Sequence, residues 1–557
     1  MSTFSHNLHQ AYQQVPDKPC LYMLRNNLPD QEVTYRQLVQ GAAGYARALA
    51  EQGIQPGEVV ILLLQHGESL IYAFFGTILQ GAIPSIMPFL TEKLDPAQYR
   101  QSLAALFHTS APSAVITYQE FKSEVLQAAA QAPSLRAVLV DTGIQAQVNP
   151  DFEILPGLKR TQQDLVLLQH SSGTTGLQKG VALSHQAIFN QLQSYSAALN
   201  LHSSDVIISW LPLYHDMGLI AGFILPILSR VPLVMLSPFD WVRAPHRLMH
   251  AISHYRGSLC WLPNFAYNFC AQKVRDRDLE GVDLSSLRAV INCSEPMHWS
   301  SHQMFLERYA PYGLKASALA TSYAMAENVF AVTQGGIDRP VTIDWIDQHA
   351  SITRQVAIPV NPSENANPML SAGFPIDGTR VRILDAKGKQ LKDRSIGEIA
   401  ISSNCMLAGY YNRPDLTRKA FLDGWYLTGD LGYMAEGEVY VTGRKKDLII
   451  VGGKNIYPQD LERIASEVPG VHPGRVVAFG VFNPEAGTED VVVLAESDQT
   501  HPDVRARLAD GIRQRINRGT DIALRYVRVV DREWLLKTSS GKIARSANRE
   551  KYLCENP

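Results

Sequence analysis

Hydrophobic and polar positions alternate in blocks that switch between strand and helix periods. Glu58–Leu64 is a short apolar run just after Pro56-Gly57 and predicts a buried strand. Ser69–Gln80 predicts a helix, and Ala82–Met87 a second strand. Ser113–Thr117, Ala137–Val140 and Leu165–Gln169 repeat the strand theme. Strands alternating with helices predict a layered α/β architecture with substantial parallel sheet. The longest greasy stretch, residues 217–236, is interrupted by Pro226, Arg230 and Pro232. It falls short of the ~20 clean apolar residues of a membrane span and predicts a buried helix followed by a buried strand.

The texture changes near residue 370. Arg380–Leu384, Gly397–Ile401 and Glu438–Val441 are short strand patterns between Gly, Asp and Asn turns, the signature of a smaller β-rich subdomain. A basic, glycine-punctuated segment follows Gly443, then a helical pattern from Gln459 to Val468. The expected organisation is a large N-terminal domain over 1–445 and a small, mobile α/β lid over 446–557. No Pro-rich linker separates them, so the hinge is expected to be short.

Composition narrows the function. The chain has 557 residues, 46% hydrophobic and 19% charged, with a net charge of -2. That length exceeds one compact domain. Without a basic excess, nucleic acid and anionic membrane are poor partners, and any anionic substrate must be held by local groups. None of the six cysteines lies in a C-x-x-C pair, which argues against zinc and dithiol sites. Their scatter fits a reducing cytoplasm, and the polar N-terminus lacks a signal-peptide core.

The strongest local signal is Ser171-Ser172-Gly173-Thr174-Thr175-Gly176-Leu177-Gln178-Lys179-Gly180, after the strand Leu165–Gln169. Small hydroxylated residues and glycines let backbone N–H groups approach polyphosphate, and Lys179 adds positive charge. The Walker A spacing is absent. Composition alone leaves this segment open between a phosphate cradle and an ordinary surface loop. Further on stand Ser322-Tyr323-Ala324-Met325-Ala326-Glu327, Tyr426-Leu427-Thr428-Gly429-Asp430, Gly443-Arg444-Lys445-Lys446-Asp447, and Lys537-Thr538-Ser539-Ser540-Gly541-Lys542-Ile543. Each is weak alone, since a lone Glu, Asp or Lys is usually a solvated charge.

In this order and spacing, from Val33-Thr34-Tyr35 to Lys542, the motifs resemble the adenylate-forming (ANL) superfamily of acyl-CoA synthetases, peptide-synthetase adenylation domains and luciferases. Trp210-Leu211-Pro212-Leu213-Tyr214-His215-Asp216-Met217-Gly218, Pro263-Asn264-Phe265-Ala266-Tyr267, Lys446-Asp447-Leu448-Ile449-Ile450 and Asn455-Ile456-Tyr457-Pro458 are similar to fatty-acyl-AMP ligases in particular. Those ligases pass the acyl group to a carrier-protein phosphopantetheine rather than to free coenzyme A. Their hallmark is an insertion after the fifth motif. The stretch from Gln334 to Ala372 is either that insertion or a long loop, and its Pro340, Pro359, Pro362 and Pro368 with Val341, Ile343, Trp345, Val356 and Ile358 predict that it docks on the large domain.

The resemblance implies attack of a carboxylate on the α-phosphorus of ATP, with Mg²⁺ held by Thr174 and Glu327. It implies that Lys542 spans the carboxylate and α-phosphate, and that Asp430 accepts the ribose hydroxyls. Arg444 would contact ribose or phosphate. Ser294, Glu295, Pro296, Ser322, Tyr323 and Ala324 would line the adenine slot, and the loop Ser171–Gly176 with Lys179 would hold phosphates. His215 would border the acyl carboxylate, although a lone His beside a Tyr is often structural. Trp261, Phe265 and Tyr267 are either acyl-pocket walls or core. Lys446 would be the hinge. The implied partners are a carboxylic acid and an acyl carrier protein, with an acyl-CoA synthetase as the alternative. Three departures stand out: Ala324 where the family has Gly, Ser294 where it has Gly, and Gln178 where it has Pro. Ala324 bears on which acid fits rather than on the reaction.

Overall fold

A computed structural model describes residues 3–26, 28–89, 96–129, 132–171, 179–363, 366–451, 454–472, 474–483, 488–519, 524–538 and 541–555. The predicted parallel sheets are present. One runs Ile83–Ile86, Val59–Leu63, Ala114–Thr117, Ala137–Val140, all parallel. A larger seven-stranded sheet runs Leu319–Thr321, Ala289–Asn292, Leu259–Leu262, Ile207–Ser209, Leu233–Met235, Pro19–Met23, Gln31–Thr34. Only its last pair is antiparallel. Val59–Leu63 is buried along its whole length, as a strand covered on both faces must be. The helix Tyr35–Glu51 starts at a capping box between Thr34 and Gln37 and packs its apolar face on the helix Glu68–Leu79.

Two expectations need refinement. The greasy stretch after Asp216 opens as a π-helix, Met217–Ile224, before a short α-helix, Leu225–Ser229, and the strand Leu233–Met235. An all-round apolar run has no periodicity to betray the wider winding. The strand Leu165–Ser171 does not join a parallel sheet. It forms an antiparallel hairpin with Lys179–Ser184, which pairs on its other edge with Gly409–Tyr410.

The β-rich subdomain is an antiparallel sheet containing Thr379–Leu384, Gly397–Ser403, Trp425–Ala435, Phe421–Leu422 and Glu438–Arg444. After Arg444 the chain enters the last unit. There the sheet Val476–Asn483, Thr488–Glu496, Tyr526–Val530 is flanked by the helices Pro458–Ser466, Pro502–Gly519 and Arg545–Glu555. This unit has its own apolar core around Leu461, Ile464, Val493, Ile512 and Ile516, separate from the main core. Among the described residues, no helix is long and apolar enough to cross a membrane.

The Gln334–Ala372 stretch docks, but not through the apolar residues that predict it: Val341, Ile343, Trp345 and Val356 are half-buried and Ile358 is exposed. Ile343–Asp347 pairs antiparallel with Ala366–Leu370, and a six-residue helix, Gln348–Thr353, lies between them. Ile346 and Ala357 bury against Tyr433, Tyr440 and Tyr457. Asp344 accepts a hydrogen bond from Tyr433 at 2.8 Å and pairs with Arg394 at 2.9 Å.

Candidate active site

The site gathers at the carboxyl ends of the parallel strands, where open α/β sheets bind ligands. The strand Ala289–Asn292 ends at Cys293 and Ser294, and Leu319–Thr321 ends at Ser322 and Tyr323. Ser322 N–H donates to the Asn292 carbonyl at 3.0 Å, and its hydroxyl donates to the Thr333 carbonyl at 2.8 Å. Ser294 has φ +70°, a left-handed conformation that glycine adopts without strain. This explains why a glycine suits that position, and shows that the backbone keeps the shape with serine.

Asp430 is the best-held acid of the site. The register of Trp425–Ala435 with Glu438–Arg444 sets Asp430 directly opposite Arg444. Arg444 Nε lies 3.0 Å from Asp430 Oδ1, and Tyr323 Oη donates to Oδ2 at 2.7 Å. The bond to Thr428 Oγ1 from the Asp430 N–H, at 3.0 Å, fixes the turn after Gly429, whose φ is +72°. Burial, and then the Asp430 charge, push the Tyr323 phenol far up, so it remains a donor. A buried carboxylate pinned between a phenol and a guanidinium is a rigid acceptor for a diol.

Glu327 lies on the 3-10 turn Ala326–Asn328 and accepts a hydrogen bond from Tyr410 Oη at 2.8 Å. Tyr410 Oη also lies 2.9 Å from Tyr426 Oη, and Lys179 Nζ sits 4.9 Å from the Tyr410 ring centroid. Tyr410 thus joins the hairpin to the Glu327 turn. Val329, two residues on, has φ +63° and ψ -56° and is fully buried. The Phe330 N–H closes onto the Asn328 carbonyl at 2.6 Å, making a γ-turn rare for a β-branched residue. Among the described residues, no group of three His, Cys, Asp or Glu side chains is placed to hold a metal. One hard carboxylate fits Mg²⁺ shared with substrate phosphates and water better than a closed protein cage.

His215 Nδ1 lies 2.7 Å from Asp216 Oδ1, and Asp216 caps the π-helix through the Met217 N–H at 2.8 Å. Burial works to raise the Asp216 carboxyl, but His215 and Lys542 outweigh it and hold it below the usual carboxylate range. The Lys542 charge also acts on Cys293, whose thiol burial pushes up to about 12. Lys542, far away in sequence, is therefore near enough for its charge to act on Asp216 and Cys293. A side chain at Gly541 would sit 3.6 Å from the Phe265 ring, and Lys537 Nζ is 5.8 Å from that ring's centroid.

The remaining expected residues fall less centrally. The Glu295 carboxylate accepts the Phe265 N–H at 2.9 Å, and Pro296 is exposed. Ala324 bridges Ala331. Tyr267 is buried, bonded to the Val290 carbonyl and stacked on His302, so it belongs to the core. Trp261 donates to Tyr195 Oη at 2.9 Å, also inside the core. Lys446 stands on the 3-10 turn Lys445–Asp447, where burial and the neighbouring Arg444 pull its ammonium down to about 8. Ser172, Gly173, Thr174, Thr175 and Gly176 lie outside the described residues, as does the side chain of Ser171. Asp216 and the Tyr410–Tyr426 pair are parts of the site that sequence reasoning passed over. Their motifs were visible, but their contacts were not.

The family profile described as AMP-binding enzyme matches residues 8–411. A protein of Caulobacter vibrioides named as a putative acyl-CoA synthetase is 30% identical, over 96% of this chain and 92% of its own. The medium-chain-fatty-acid acyl-carrier-protein ligase JamA of Moorena producens is 29% identical, over 94% of this chain and 90% of its own. A solved structure from work on fatty acyl-adenylate ligases of E. coli and L. pneumophila superposes with a TM-score of 0.87 at 26% identity, covering 100% of this chain and 98% of that one.

Proposed function

The chain belongs to the AMP-binding, adenylate-forming enzymes, and from that premise we propose that it activates a fatty or related carboxylic acid as acyl-AMP and delivers the acyl group to a carrier-protein phosphopantetheine thiol. The observations that carry the first step are the pinned Asp430 and the seating of the Lys542 loop against Phe265, near enough for the lysine charge to act on Asp216. In that step an acid oxygen bonds to the α-phosphorus, the α–β bridge breaks, and pyrophosphate leaves. Two anions must meet, so neutralising charge is the main task. Lys542 offsets the charge gathering between carboxylate and α-phosphate. Asp430 receives the ribose hydroxyls, and Arg444 holds Asp430 and faces the nucleotide side. Glu327, with Thr174, would hold Mg²⁺, which when bound neutralises phosphate oxygens. Tyr410 keeps the Glu327 carboxylate oriented.

In the second step the thiol sulfur attacks the acyl carbonyl carbon, loses its proton, and AMP leaves as the phosphate ester. The lid must release Lys542 from the site to admit the thiol, pivoting at Lys446. Support for a carrier protein as acceptor comes from the docked insertion. Its helix Gln348–Thr353 packs on the lid strand Lys454–Ile456, and Asn367 Nδ2 approaches Asp460 Oδ1 at 3.4 Å. That contact restrains the pivot. A carrier protein brings binding surface to offset the restraint, whereas coenzyme A brings little. The test supplies one acyl-adenylate with either holo-carrier protein or coenzyme A. Carrier acylation at least tenfold faster than acyl-CoA formation is expected, and equal or greater acyl-CoA formation promotes the synthetase reading.

A further inference from the structure

One half-buried guanidinium lies outside every role assigned so far. Arg545 opens the helix Arg545–Glu555, three residues after Lys542. Its Nη1 contacts Asp447 Oδ2 at 2.5 Å, and its Nη2 donates to Glu462 Oε1 at 2.7 Å and Oε2 at 3.0 Å. Its Nε donates to the Ala478 carbonyl at 2.9 Å. The Ala478 N–H in turn donates to Glu462 Oε1 at 2.9 Å, closing a ring of bonds around the fork. The three side chains are 16% to 19% exposed. A planar fork with every arm occupied fixes direction as well as distance, which a lysine ammonium does not.

The two ends of this network matter for the chemistry. Asp447 closes the turn Lys445–Asp447, directly after Arg444 and Lys446. Lys542 sits on a hairpin whose stem is held by the Lys537–Ile543 bridge, by the Thr538 N–H donating to the Lys542 carbonyl at 2.8 Å, and by the Ala544 N–H donating to the Leu536 carbonyl at 3.0 Å. That stem runs straight into Arg545. Farther along the same helix, Arg549 Nε donates to the Gly480 carbonyl at 2.9 Å and pins the helix to the strand Val476–Asn483.

We propose that Arg545 is a positioning residue for adenylation, locking the hairpin that carries Lys542 to the far flank of the Lys446 pivot. It touches no substrate. The lid and the chain just beyond Lys446 then turn as one body, rotation is confined to Lys446 and its upstream neighbours, and each closure returns Lys542 to the same place. The inference rests on the reading of Lys542 as the adenylation cation.

The test compares Arg545→Lys, Asp447→Asn and Lys542→Ala by ATP-dependent pyrophosphate release with a saturating acid. Arg545→Lys keeps the charge but loses the fork. Its kcat is expected to fall at least tenfold, with the KM for ATP within threefold of wild type, because Tyr323, Asp430 and Arg444 are held independently of the fork. Asp447→Asn removes one charged arm, leaves the Glu462 arm in place, and is expected to lower kcat at least threefold. If Arg545→Lys does not fold, Asp447→Asn alone decides. Adding Arg545→Lys to Lys542→Ala should cost nothing more, since the group being positioned is gone. A kcat within threefold of wild type in folded Arg545→Lys, or an equal further loss on the Lys542→Ala background, overturns the inference. Unchanged adenylation in Lys542→Ala itself overturns the reading of function beneath it, a result distinguishable from failure of Arg545 alone.

Discussion

Lys542→Ala should lower the rate of acyl-adenylate formation by roughly 10²–10³-fold, a loss of about 3–4 kcal/mol of transition-state stabilisation. The structure explains why the effect falls on this step. The Lys542 charge is felt by Asp216 and Cys293, and its loop lies against the Phe265 ring. Lys179 lies over Tyr410, and Arg444 is committed to Asp430. The lysine stands on a loop rather than in the core, so its truncation leaves the fold intact. Thioester formation from a supplied acyl-adenylate should survive in the variant, because the lid has moved away by then. Pyrophosphate release measured with and without thiol separates the two steps. Unchanged release would remove Lys542 from the mechanism.

The second large effect concerns the Gln334–Ala372 stretch. In the register of its hairpin, Asp347 faces Ala366. Replacing residues 348–365 with an Asn-Gly turn therefore closes the same two strands with a two-residue connection that matches their twist. The change removes the helix Gln348–Thr353, and with it the packing on Lys454–Ile456, but keeps Tyr323, Glu327 and the Asp344–Arg394 pair. Acyl-CoA formation should rise about tenfold, the equivalent of about 1.4 kcal/mol of lid restraint removed, while adenylate formation changes little. Asp460, whose carboxyl burial pushes up, and Asn367 remain in place, so part of the restraint persists. Acyl-CoA output that stays at the wild-type level would detach the insertion from acceptor choice.

Much of this was legible in the sequence, for identifiable reasons. Lys542, Asp430, Arg444 and Glu327 each stand in a short motif whose residue types are dictated by local chemistry, and the structure sets Asp430 opposite Arg444. The Gln334–Ala372 stretch was legible as a docked segment, but its anchors are Ile346 and Ala357, while Ile358 stays exposed. What stayed hidden was pairing. The apolar run Leu165–Gln169 announces a strand but not its partner, so its pattern predicts one more parallel strand where the structure has an antiparallel hairpin with Lys179–Ser184. The bond from Tyr410 to Glu327 spans 83 residues and exists only because Gly409–Tyr410 adds to that hairpin. The same limit hid the Arg545 fork, whose partners Asp447 and Glu462 lie 98 and 83 residues earlier. The π-helix was invisible because every residue of Met217–Ile224 is buried. Aromatic residues at Trp261, Phe265 and Tyr267 looked alike in sequence, and only Phe265 meets the Lys542 loop.

The central claim is that this site joins a carboxylate to the α-phosphate of ATP. The most direct measurement incubates the enzyme with ATP, Mg²⁺ and a panel of fatty and aryl-substituted acids labelled with ¹⁸O in the carboxylate, without any thiol, and follows products by mass spectrometry. The expected result is acyl-AMP with stoichiometric pyrophosphate, and one ¹⁸O carried into AMP when the adenylate is cleaved at its acyl carbon. Formation of ADP and phosphate in place of AMP and pyrophosphate, or AMP free of the label, would contradict it.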